Sequence, residues 1–164
     1  MASSHAGPTL RQSAMPFVIS GLDPSQFSKL QPSALVQRRV VDESPGFPCR
    51  VTLEDAAVGE EVLLVHFEHL THDSPYRSAG PIFVRPHASR RACAPGEVPL
   101  ALQRRLLSVR GYDQRGMMLE ADVVDGSALA AKLEALFREA AIDFVHVHHA
   151  TPGCFACRVD RVSA

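Results

Sequence analysis

No apolar run in this 164-residue chain approaches the roughly 20 residues that a membrane-spanning helix needs. The opening residues, MASSHAGPTLRQSAMP, lack the basic start and continuous apolar segment of a secretory signal. There is no basic excess either. The formal net charge is -1, and the pairs Arg38-Arg39, Arg90-Arg91 and Arg104-Arg105 are scattered and offset by acids, so the charge gives no reason to expect nucleic acid. A phosphate-cradling glycine loop and a serine nucleophile elbow are both missing. So are internal repeats and low-complexity segments. These absences point to a cytoplasmic protein with neither a membrane nor a nucleic-acid partner. In that compartment its four cysteines, Cys49, Cys93, Cys154 and Cys157, are thiols or metal ligands and not disulfides.

What is present suits a folded protein. The hydrophobic fraction is 46%, which argues against wholesale disorder. A chain of this size buries roughly two-thirds of its unfolded surface as one domain. The expected organisation is a disordered tail over residues 1–15 and a single globular domain over 16–164.

The pattern predicts many strands and few helices. Strands are expected over 17–22, 38–43, 62–70, 81–85, 106–112, 117–124, 143–149 and 155–162. Asp23-Pro24 resembles an N-cap followed by proline at the first helical position, opening a short helix to Leu30. A second short helix is expected over about 100–105. The best helix lies at about 127–140, where Leu129, Leu133, Leu136, Phe137 and Ala140 form one apolar stripe and Asp125 or Ser127 can cap the start. The fold class expected from this order is α+β: a largely antiparallel sheet with one long amphipathic helix on one face.

The densest chemistry is HVHHATPGCFAC, residues 146–157. On a strand, His146 and His148 project from one side, and Val145, Val147 and His149 from the other. The simplest pairing turns Val145, Val147, Phe155, Cys157 and Val159 to the core, leaving His146, His148 and Cys154 on the opposite face. Two imidazoles and a thiolate suit zinc or another divalent transition metal, with Cys49 as a further donor. In the bland alternative Cys157 is a small buried hydrophobe and the histidines are hydrogen-bonded structural residues. A dithiol redox reading requires a helix after the first cysteine, whereas RVDRV after Cys157 reads as strand. A lone Cys-x-x-Cys, with no second pair, cannot make an all-cysteine four-ligand site.

Other groups could serve a site. Cys49 stands beside Arg50 in a proline-bounded loop, where a thiol is a candidate nucleophile with a histidine as base. Arg77, Arg85, Arg50 and Arg158 offer guanidinium forks for a small anion, against the plainer possibility that they pair with neighbouring carboxylates. His66, His69 and His72 recur every three residues, but on a strand that spacing splits them between faces, so they read as surface or core polar groups.

The segments FPCR (47–50), SPYRSAGPIFVR (74–85), GYDQRGMM (111–118), ADVVDG (121–126) and HVHHATPGCFACRVDR (146–161) together resemble a set of small bacterial proteins, the family called domain of unknown function 1203. The likeness runs over about residues 17–162. It implies a bacterial, single-domain protein and supplies no catalytic assignments. The pattern of that family has Asn at the position of His149, which argues against His149 as an essential ligand.

The residues thus lead to a small-molecule-binding, enzyme-like domain with a His/Cys/Arg site. Cys49, Arg77 and Arg158 are the catalytic candidates, and His146, His148 and Cys154 the metal candidates. The expected ligand is a small anion. A non-catalytic interaction module, with these residues structural, is the alternative from another class.

Overall fold

The computed structural model describes residues 16–162. The expected N-terminal tail lies outside the described residues. Among the described residues, eight strands form two antiparallel sheets. The larger has the order β1 (Phe17–Ser20), β8 (Phe155–Arg161), β7 (Phe144–His149), β5 (Leu106–Tyr112), β6 (Met118–Asp125). The smaller has the order β2 (Val36–Val40), β3 (Glu61–Leu70), β4 (Ser78–Val84). Two α-helices accompany them, α1 (Leu100–Gln103) and α2 (Leu129–Phe137).

The expected α+β class and its long helix are therefore corrected: the described residues are mainly β. Asp125 caps as anticipated, accepting from the Ser127 amide at 2.9 Å. A three-residue 3-10 turn then leads into nine helical residues, not the stretch to 140. The reason lies in β8. Arg161 donates from Nη1 to the Phe137 carbonyl, from Nη2 to Glu139 O at 2.7 Å and from Nε to Ile142 O at 3.1 Å. A cation bonded to the last free carbonyls ends a helix as a C-cap does. The periodicity of residues 129–140 could not reveal an arginine arriving from elsewhere.

The main core lies between α2 and one face of the five-stranded sheet. Leu129, Leu133, Leu136 and Phe137 pack on Leu107, Val109, Val145, Val147 and Val159. Burying each large side chain contributes roughly 1.5–3 kcal/mol. The other face of that sheet receives the smaller sheet. Leu63, Val65, Phe67 and His69 alternate inward along β3, and Val65 and Ile82 gather around Phe155 of β8. The outer face of the smaller sheet is not bare: Val41 and Ala56, from the 41–60 loop, cover Val62.

One register detail redirects the site. Val147 pairs with Cys157, but His148 pairs with Phe155, so Ala156 is an extra residue and β8 bulges there. A bulge resets the alternation of a strand. Ala156 and Cys157 both join the helix-side core. Phe155 therefore faces the smaller sheet beside the histidines, and not the helix-side core that strict alternation had assigned to it.

Candidate functional site

The loop carrying Cys49 and Arg50 is held from two sides. The Arg50 amide donates to Phe83 O of β4 at 3.0 Å, and the Leu22 amide, just after β1, donates to Arg50 O at 2.8 Å. That second contact requires Gly21, because a Cβ there would collide with the Val51 carbonyl. The loop closes tightly: the Leu53 amide donates to Cys49 O at 2.9 Å, and Leu53 adopts a left-handed φ of 55°. Its side chain is locked into the main core, which sustains a backbone conformation that is otherwise costly.

The Arg50 side chain is 2% exposed. Its Nε donates to Phe155 O at 2.7 Å, its Nη1 to Pro48 O at 2.6 Å, and its Nη2 to Cys154 Sγ at 3.1 Å. Among the described residues no carboxylate forms an ion pair with it. Burial works against its charge, yet an arginine keeps its proton in a protein. The positive charge is therefore matched only by neutral carbonyls and a sulfur.

This guanidinium lines a pocket of about 450 Å³. Arg105, Cys154, His149 and the exposed Arg104 line it as well, and no Asp or Glu is in the lining. Arg105 is already matched, since it forms a two-pronged ion pair with the buried Asp55. His149 is 5% exposed, and its Nδ1 has no hydrogen-bond partner among the described residues. Burial first, and then Arg50 and Arg105, push its pKa down to about 3, so the ring is neutral near pH 7.

A second polar group lies between the sheets. His69 of β3 stacks on Phe155, with ring centroids 5.3 Å apart, and meets His148 at 4.9 Å and His146 at 6.0 Å. Burial, with neighbouring histidines and Arg158 adding to it, holds His146 at about 2; burial holds His148 at about 4 despite its contact with the Gly153 carbonyl. Both are neutral rings in an aromatic layer that also includes Phe144 and Tyr112.

The remaining site candidates fall in separate places. Cys49 is 1% exposed, behind Arg50, where its sulfur accepts from the Arg85 amide at 3.3 Å and faces only a void of about 10 Å³, at most one water. Cys157 is buried in the main core, and burial raises its thiol pKa. Arg77 pairs with Glu68 on the surface, and Arg158 pairs with Asp160 at 2.9 Å while lying over the Phe144 ring. His146, His148 and Cys154 do not act as one set. Cys154 Sγ is held by Arg50, His148 Nδ1 is 3.0 Å from Gly153 O, and its Nε2 is 3.5 Å from the Arg110 guanidinium. Among the described residues no three His, Cys, Asp or Glu side chains stand where they could hold a metal ion.

Sequence reasoning underrated Arg50, Arg104 and Arg105. The adjacency of Cys49 and Arg50 was visible, but the contact across more than a hundred residues to Cys154 leaves no local signal. No helix among the described residues is long and apolar enough to cross a membrane.

The chain is thus a two-sheet β protein with a guanidinium–thiol pocket at one end of its larger sheet. The family described as protein of unknown function (DUF1203) matches residues 46–161, and the chain belongs to it. β1 and β2 precede the matched segment. No curated protein and no solved structure matches the chain.

Proposed function

We propose that this protein binds a small anionic molecule in the Arg50 pocket and presents Cys154 to it as a reactive thiol. One observation carries the reading: a buried guanidinium, unmatched by any carboxylate among the described residues, lines an open pocket and donates to a sulfur in the same lining. An unneutralised buried charge is costly for a fold and is compensated when an anion binds. The same guanidinium fixes this sulfur at the pocket wall, where a nucleophile would meet a bound ligand. Cys154 is thus the nucleophile candidate with access to ligand-sized space, while Cys49 supports Arg50 from behind.

Alkylation of the folded chain with iodoacetamide, followed cysteine by cysteine by mass spectrometry, tests this. Cys154 is expected to react at least about tenfold faster than Cys93. Cys49 and Cys157 stay unmodified until unfolding, and added anion slows Cys154 alone. Equal rates at Cys154 and Cys93 with no anion effect would remove the support for this reading.

A further inference from the structure

The lining of the pocket specifies more than an anion. An arginine has five N–H donors. The chain uses three of those on Arg50, one each from Nε, Nη1 and Nη2. One N–H on Nη1 and one on Nη2 are left, and one N–H from each terminal nitrogen is what a two-pronged bond to a carboxylate needs. His149 adds a buried, neutral ring whose Nδ1 has no partner. The buried charge to be matched is single, because Asp55 already neutralises Arg105, and Arg104, the third arginine of the lining, is exposed. A dianion would bring one negative charge more than the buried site can match. The walls beyond the guanidinium are mostly carbon, from Phe83, Leu106, Pro45, Pro48 and Pro152, with Arg104, Arg105 and Thr151 among them. A space of about 450 Å³ is far larger than a bare inorganic ion requires.

We infer that the ligand of this pocket is a monocarboxylate with an apolar body, such as an aryl or short-chain aliphatic acid. Its carboxylate sits on the Nη1/Nη2 fork beside His149, and its body lies along Phe83 and Leu106. This inference rests on the anion-pocket reading above and narrows it to a ligand class.

The test uses the full chain at fixed ionic strength, with benzoate, hexanoate, inorganic phosphate and benzamide as probes. Affinities are read by calorimetry and by protection of Cys154 from iodoacetamide. Benzoate or hexanoate is expected to bind at least about tenfold more tightly than phosphate or benzamide. Arg50→Lys, which keeps the charge and loses the fork, is expected to weaken carboxylate binding about tenfold. Leu106→Glu gives the same direction from a half-exposed position whose change leaves the fold intact, so the result does not depend on Arg50→Lys folding. Phosphate binding as tightly as benzoate would overturn the inference and leave a general anion pocket standing. Benzamide binding equally well would overturn it by removing the carboxylate. If none of the four probes binds or protects, the anion reading falls together with the inference. Parent-like carboxylate binding by Leu106→Glu would overturn the placement of the apolar body.

Discussion

The hairpin of β7 and β8 supports two polar groups that solve the problem of burial in opposite ways. Between the sheets, His69, His146 and His148 are stripped of charge and packed as rings, so desolvation is avoided by neutrality. At the end of the sheet, Arg50 cannot discard its proton and is given three neutral acceptors and an open pocket. The first needs no partner of opposite charge, although Nδ1 of His69 and of His146 has no hydrogen-bond partner among the described residues. The second needs such a charge and lacks it among the described residues. Of the two clusters, the one that cannot neutralise itself is therefore the better guide to a ligand site.

Acid should break this comparison most forcefully. His146 and His148 have folded pKa values of about 2 and about 4 against an ordinary 6.5. Above pH 6.5 both are neutral in folded and unfolded chains and contribute no pH dependence. As pH falls below 6.5 the unfolded chain takes up the protons and the folded chain does not, so stability drops, down to about pH 4 for His148 and about pH 2 for His146. The two together should cost roughly 4 kcal/mol by pH 5. Urea unfolding at pH 7, 6 and 5 measures it, and a flat profile would mean that these rings titrate normally.

Next in size is Arg50→Met. It leaves the Phe155 and Pro48 carbonyls without their donor and should lower stability by about 3 kcal/mol while abolishing anion protection of Cys154. Equilibrium unfolding and alkylation rates report the two effects separately. His146→Phe sharpens the contrast, because a neutral ring replaces a neutral ring. Stability at pH 7 should stay within about 1 kcal/mol of the parent, and the loss between pH 7 and 5 should shrink by roughly a third, since the buried His149, held at about 3, adds a share like those of His146 and His148. The smallest effect belongs to Arg77→Ala. Its ion pair with Glu68 is exposed, so the change in stability should be no more than about 0.5 kcal/mol. Cys154 alkylation should not change at all, since Arg77 does not line the pocket.

Much of the strand order could be read in the sequence because each strand carries its own alternation. Glu61–Leu70 shows Leu63, Val65 and Phe67 turned inward just as their spacing implies. The apolar stripe of α2 was legible for the same reason, through Phe137. Three things were not. The end of α2 depends on Arg161, which reaches it from the last strand. The location of Phe155 depends on an unpaired residue that no period-2 pattern contains. The pocket depends on Arg50 meeting Cys154, a contact of two loops that are distant in the chain. Both partners were visible as chemistry, but only the tertiary fold brings them together. The expected metal set failed to assemble for a related reason: His148 has a backbone carbonyl and a guanidinium as its neighbours, and Cys154 has Arg50.

The bulge at Ala156 has a consequence for how this site can change over time. Strand parity is a count, and Ala156 is the one residue by which the count on β8 exceeds that on β7 between Val147 and His148. Deleting Ala156 would leave Val147 paired with Cys157 and His148 with Phe155, now by ordinary alternation. Phe155 would stay on the side of the smaller sheet, and Cys154 beside Arg50. A charged substitution at Ala156 would be far more damaging than its loss, because this residue is 2% exposed in the helix-side core. The extra residue thus serves the core under α2, and the thiol keeps its place without it.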